Sequence, residues 1–130
     1  PMGEMSAMAA ELADALARTA GMSCAISDRD AVIAAAGGAK KDVLEKSVSA
    51  ELEQLMEQRI IYARGESSLP DIPLSGRDGY HLVTAVPVIT DGDVSGCVAF
   101  ISEKEDTASS EVLLGLCQSA AQFLSRRIAV

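Results

Sequence analysis

The segment from Tyr80 to Glu103, YHLVTAVPVITDGDVSGCVAFISE, constrains the fold of this 130-residue chain more than any other part. An Asp-Gly pair between runs of alternating apolar residues is typical of a tight antiparallel hairpin. The segment therefore predicts two long strands joined by a turn at Asp91-Gly92. The apolar positions alternate, with Ala85 out of step; they are Leu82, Val86 and Val88 in the first strand and Val94, Val98 and Phe100 in the second.

Shorter patterns surround this hairpin. Apolar residues at helical spacing predict a helix over 4–19, a short helix followed by a longer one within 41–58, and a final helix over 107–128. A kink is expected near 47–49, where Ser47 or Ser49 caps the longer helix. Short apolar runs between turn residues predict strands over 22–27, 31–36 and 60–64. Residues 65–79 hold two prolines and three glycines and predict one long irregular loop.

The order of these elements is helix, strand, strand, helices, strand, strand, strand, helix. The fold class that accommodates this order economically is α+β, with one five-stranded antiparallel sheet flanked by helices. The order occurs in GAF and PAS sensor domains and in roadblock-type dimerisation domains. We interpret residues 4–130 as a single GAF-like domain and residues 1–3 as the remnant of a tag.

Charge and cysteine content narrow the function. A formal net charge of -8 repels phosphate backbones, so we expect no direct contact with nucleic acid. Three widely spaced cysteines, Cys24, Cys97 and Cys117, do not suggest a disulfide framework and favour a reducing, cytoplasmic location. One histidine and scattered cysteines give no metal-ligand spacing, so neither a metal nor a cofactor is expected. No apolar run predicts a membrane helix.

A family resemblance is carried by residues 25–62, which include ISDRDAVIAAAGGAKKDVLEKSVSAELEQLMEQR. This run resembles the C-terminal GAF domain of the stage V sporulation protein T family, transcription regulators of spore-forming bacteria. The likeness continues through residues 80–102 and the last helix. It implies a DNA-binding domain of the transition-state-regulator type before this one, a small-molecule ligand, and association through the terminal helices.

A ligand pocket is expected between the sheet and the helices of 41–58, with the loop of 65–79 as its lid. The alternative for this loop is a plain connector. No catalytic constellation is visible, because the only histidine has no neighbouring nucleophile or carboxylate in an obvious arrangement. The candidate pocket residues are Cys24, Ile26, Lys40, Lys41, Leu55, Leu69, Ile72, His81, Thr84 and Cys97.

A dimer interface is expected on the first and last helices, because the last helix is apolar over a wide arc. The alternative is that both helices only cover one face of the sheet. The partner would be a second copy of the chain, in a dimer or a tetramer. The candidate interface residues are Met5, Met8, Leu12, Leu16, Val112, Leu116, Phe123 and Leu124.

Together these features predict a regulatory domain that senses a small molecule and oligomerises, and that is not an enzyme. Two alternatives remain open. A ligand-free dimerisation platform of the roadblock type predicts a solid core in place of a cavity. A GAF-type methionine sulfoxide reductase requires reactive thiols among the three cysteines.

Overall fold

The computed structural model of the chain describes residues 2–66, 69–76 and 79–128. The expectations for residue 1, for the rest of the loop and for the last two residues lie outside this range. Within it, the chain forms α1 (Met2–Ala20), β1 (Cys24–Asp28), β2 (Val32–Ala36), α2 (Lys40–Val43), α3 (Ala50–Gln58), β3 (Tyr62–Ala63), β4 (His81–Thr90), β5 (Asp93–Ser102) and α4 (Glu111–Ile128).

The five strands form one sheet in the order β2-β1-β5-β4-β3, and every neighbouring pair is antiparallel. This confirms the predicted α+β class and the predicted number of strands. The long β4–β5 hairpin lies near the centre, and the shorter β1–β2 hairpin joins it through the pairing of β1 with β5. In the described part of the chain, no helix is long and apolar enough to cross a membrane.

The hairpin turn falls at Asp91-Gly92, where the sequence predicts it. Thr90 pairs with Asp93, and both turn residues have positive φ, 51° for Asp91 and 85° for Gly92. Positive φ at both central residues is the geometry that matches the twist of the flanking strands. Asp and Gly are among the residues that adopt it most readily.

A β-bulge near the start of β4 changes which residues share a face of the sheet. The register between β4 and β5 shifts between Leu82 and Thr84, which adds a residue to β4. As a result Leu82 and Ala85 both face α3, although they lie three positions apart and would face opposite sides of a regular strand. Val86 and Val88 face the other layer. The prediction that Leu82 shares a face with Val86 and Val88 was therefore wrong.

The two faces of the sheet carry different layers. One face packs against α1 and α4, the outer helices in the sequence. The other packs against α2, α3 and the segment 69–75. Alanines such as Ala9 and Ala13, both fully buried, let α1 approach β2 closely.

The predicted kink near 47–49 is instead an extended connection between α2 and α3. Val48 N donates to Asp30 O, and Ser47 bridges Ala31, so this connection adds to the edge of the β1–β2 hairpin. The helix restarts at Ser49, whose Oγ accepts from Leu52 N at 3.0 Å. The expected serine cap is confirmed at Ser49.

Two predicted boundaries were too generous. The last helix begins at Glu111, not near 107, because Ser110 Oγ accepts from Leu113 N at 3.2 Å and caps it. The strand expected over 60–64 is limited to Tyr62–Ala63, which pairs with the middle of β4.

The outer edge of β4 beyond β3 is blocked in two ways. Pro87 has no backbone N–H to offer a further strand. Two residues later, the Ile89 carbonyl accepts a hydrogen bond from the Ser125 hydroxyl of α4. The helix thus closes part of this edge.

Candidate functional site

The candidate pocket residues do not share one cavity. Cys24 and Ile26 lie on the face that packs against α1 and α4, whereas Leu55, Ile72 and Cys97 lie on the opposite face. Cys24 and Cys97 belong to paired strands. Their positions on the two strands have opposite orientation, so their side chains point away from each other.

The layer between the sheet and α3 is filled by large side chains. Tyr62, Leu82, Leu52 and Leu74 are each no more than 1% exposed. Leu69 packs partly against this cluster. Of the remaining candidates, Lys40 and Lys41 lie exposed on α2, and Thr84 is buried, 2.6 Å from Ser109 through the two hydroxyl oxygens.

His81 belongs to a charged cluster at the end of the sheet. Asp71 Oδ1 lies 2.9 Å from Arg64 Nη2, and Asp71 Oδ2 lies 2.8 Å from His81 Nδ1. The Arg64 side chain is only 11% exposed, whereas the Asp71 side chain is 50% exposed. We call these three side chains the carboxylate clamp, because two nitrogen-bearing groups close on one carboxylate.

Arg64 and His81 differ in how well each hydrogen-bonds to the Asp71 carboxylate. Arg64 makes a hydrogen bond and an ion pair with Asp71 at the same oxygen. His81 Nδ1 is buried and, among the described residues, has no hydrogen-bond partner of good angle, despite its closeness to Asp71. The Asp71 carboxylate therefore satisfies the arginine well and the histidine poorly.

Arg64 also connects the clamp to the start of α4. Its Nη1 donates to the Lys104 carbonyl at 2.8 Å and to the Thr107 carbonyl at 3.3 Å. Its own carbonyl accepts from Ser109 N at 3.0 Å. These contacts fix the guanidinium from behind and tie β3 to the connection between β5 and α4.

Hydrogen bonds to its carbonyl groups hold the segment that carries Asp71. Leu82 N donates to the Ile72 carbonyl at 2.8 Å, and the Ser49 hydroxyl donates to the Pro73 carbonyl at 2.7 Å. The Tyr62 hydroxyl donates to the Pro70 carbonyl at 3.2 Å. Burial, together with the nearby Asp71 carboxylate, raises the pKa of Tyr62, so this hydroxyl keeps its proton.

The three thiols are not poised for redox chemistry. Cys24 and Cys117 are fully buried and Cys97 is 2% exposed. Burial raises the pKa of all three, to about 11 for Cys97 and about 12 for Cys117, so the nucleophilic thiolate is disfavoured. No group of three or more potential metal ligands comes together in the parts of the chain that the structure describes.

The candidate interface residues divide between core and surface. Leu16 and Leu124 are buried within this chain and are not available to a partner. Met8, Leu12 and Leu116 are half-buried against the same cluster, and Met5 is half-buried as well. Val112 and Phe123 are 68% and 40% exposed.

Val112 and Phe123 lie on the same side of α4, because eleven residues make about three helical turns. Leu116 and Ser119 lie between them on that side. We call these four residues the α4 stripe. Arg127 lies over the Phe123 ring, with Cζ 5.0 Å from its centroid. A groove of about 500 Å³ lies beside Phe123, between Ser119 and the two terminal arginines.

A second groove, of about 300 Å³, lies on the opposite face of the sheet. It is bounded by the β1–β2 turn, α3 and β5, and charged side chains dominate its lining: Arg29, Asp30, Glu53, Met56, Glu57 and Val94. None of the candidate pocket residues lines it.

Sequence reasoning missed Arg64 and Asp71. Arg64 was expected only as the end of a short strand, and Asp71 only as part of a loop. The two lie seven positions apart in a segment without periodicity, so no spacing rule links them. The available signal was a cation at a strand end, next to a proline-rich loop with an acidic residue.

The comparisons with known proteins identify the class of this chain as a regulatory domain of a transcription regulator. Residues 4–129 match the family described as stage V sporulation protein T C-terminal, transcription factor. The chain is 34% identical over 128 residues to stage V sporulation protein T of Bacillus subtilis (strain 168), covering 98% of this chain and 71% of the relative. The chain belongs to this sporulation transcription factor family.

Proposed function

We propose that this domain senses a small molecule and couples that event to the association of two protomers through α1 and α4. The observation that supports this proposal is that the two faces of the sheet pack against different elements. One face carries the outer helices, and the other carries the predicted lid segment and α3. A signal received on one side then reaches the other through a single sheet.

The α4 stripe supplies the contact surface in this proposal. A second copy would cover Val112 and Phe123, large apolar side chains that the single chain leaves exposed. Helix α1 packs beside α4, so two copies would together form a four-helix arrangement. In a full-length regulator, α1 would connect to the DNA-binding part, whose placement would follow that of the bundle.

Light scattering and sedimentation test the association. The double variant Val112→Ser/Phe123→Ser should shift the chain to the monomer, while Gln54→Ser, at an exposed position on α3, should not. A monomeric unsubstituted chain at high concentration would refute the oligomerisation.

Acidic charge argues against direct nucleic-acid contact by this domain, and a DNA mobility-shift assay with the isolated chain should show no complex.

Thermal shift with a metabolite library tests the sensing. A ligand that raises the melting temperature should also change the dimer dissociation constant, because a ligand shifts an equilibrium only by its differential affinity for the two states. A ligand that binds without altering association would contradict the coupling.

A ligand-free dimerisation platform is the second candidate, and the filled layer under α3 favours it. Tyr62, Leu74 and Leu82 occupy the space in which a buried ligand was expected. If the library yields no ligand and the α4 stripe variant is monomeric, the platform is the better description.

A further inference from the structure

We propose that the carboxylate clamp is a binding site for a small carboxylate ligand, and that Asp71 is a built-in stand-in for it. The proposal deepens the sensing function above and rests on it only for its regulatory meaning. The ligand carboxylate would replace that of Asp71 between Arg64 and His81. The rest of the ligand would extend toward solvent, on the side that Asp71 now faces.

The exposure of the partners favours replacement. The Arg64 side chain is 11% exposed, and loss of Asp71, the carboxylate paired with it among the described residues, would leave a nearly buried cation without that partner. An anion that arrives from solvent restores the pairing. The Asp71 side chain is half-exposed, so it can rotate into water without uncovering the core.

The geometry favours a carboxylate in particular. Arg64 Nη2 and His81 Nδ1 each address a different oxygen of one planar group, at 2.9 and 2.8 Å. Arginine pairs well with planar two-oxygen anions. The poor angle at the buried His81 nitrogen shows that the tethered Asp71 does not fill the clamp fully. A free carboxylate, without that tether, can satisfy both nitrogens.

The clamp also has a route to α4. The same guanidinium that would hold the ligand donates to the Lys104 and Thr107 carbonyls, in the connection that leads into that helix. Its segment holds Ser109 through the main chain. Replacing Asp71 by a ligand therefore changes the partner of a residue that is hydrogen-bonded to the connection leading into the proposed interface helix.

Acetate titrations of Asp71→Ala test the proposal, followed through the His81 ring resonances and the melting temperature. Sodium chloride at equal ionic strength corrects for screening. Acetate should bind the variant saturably and raise its melting temperature. It should bind the unsubstituted chain at least about tenfold more weakly, because a tethered carboxylate competes at high effective concentration.

Two matched variants complete the test. Asp14→Ala removes an exposed ion pair with Arg18, 3.1 Å long, and should show no acetate response beyond that of chloride. Arg64→Gln added to Asp71→Ala should abolish the response. If Asp71→Ala does not fold, Asp71→Asn keeps the volume without the charge and should show the same acetate-dependent shift of His81.

The outcomes separate the clamp from the wider sensing function. Equal effects of acetate and chloride on the Asp71 variants overturn the clamp and leave sensing of an uncharged ligand standing. Saturable acetate binding that survives loss of Arg64 also overturns it. Acetate binding that needs Arg64 but leaves the dimer dissociation constant unchanged supports the clamp and refutes its coupling to association.

Discussion

Gly96→Ala should destabilise the chain strongly, because the backbone of β1 lies against this position. An added Cβ would stand 1.9 Å from the Ser27 carbonyl oxygen and 3.0 Å from Asp28 Cα. Contacts of this kind essentially never fall below 3.0 Å, so β1 and β5 would have to separate by about 1 Å. Gly96 pairs with both Asp28 and Val88, and the shift would disturb both ladders.

The magnitude follows from two opposing terms. Overpacking costs about 1–3 kcal/mol, and the upper end applies because the obstacle is backbone in a central strand. The smaller entropy of an unfolded chain with alanine returns about 0.4–1 kcal/mol. The net loss is about 2 kcal/mol, which lowers the urea midpoint by about 1 M for a slope of about 2 kcal/mol per M.

Urea unfolding followed by circular dichroism measures this loss. Gly38→Ala is the matched control, because its added Cβ has no neighbour within 4 Å, and its free energy of unfolding should stay within about 0.5 kcal/mol of the parent value. A Gly96→Ala midpoint equal to or above that of the parent would refute the packing argument.

The remaining predictions concern α4, α3 and the thiols. Gly115→Ala should stabilise the monomer by up to about 1 kcal/mol in urea unfolding, because helix propensity rises and the space is open; a loss would refute open space there. Ser49→Ala should cost about 1 kcal/mol in the same assay, since the cap to Leu52 is lost. Burial raises the pKa of Cys97 from 9.0 to about 11. The protonated Cys97 thiol therefore contributes fully to the free energy of unfolding below about pH 9. Between about pH 9 and pH 11 that free energy falls by about 1.4 kcal/mol per pH unit, because only the unfolded chain loses the proton there. Cys97→Ala should make the decline in urea midpoint between those limits less steep, while the raised pKa values of Cys24 and Cys117 sustain the rest of it; an unchanged slope would contradict the linkage.

The sequence predicts the architecture because local signals and burial agree. Asp91-Gly92 specifies a two-residue turn, and the apolar runs beside it are long enough to identify both strands. The register between the strands is harder to predict from the sequence. The bulge between Leu82 and Thr84 inverts the face of every residue before it, and no residue type in that stretch announces the insertion.

The candidate site was harder to predict because it depends on contacts between distant segments. Arg64 belongs to the site because it binds the Lys104 carbonyl, about forty positions away, and the carboxylate of Asp71 in the loop. His81 was named as a candidate, but its partner Asp71 was not. Pairings of this kind follow from the closing of the sheet, which periodicity within one element does not reveal.

The blocked edge of β4 affects whether molecules of this protein can pair strand to strand at high concentration. An open strand margin invites intermolecular ladders, the route by which sheet proteins form fibrils and swapped assemblies. Here Pro87 has no N–H to donate, and the Ile89 carbonyl already accepts from the Ser125 hydroxyl, so this edge offers few free groups for such pairing. A second copy that approached this side would meet side chains and not an open strand, so the ladder would not extend from one molecule to the next there.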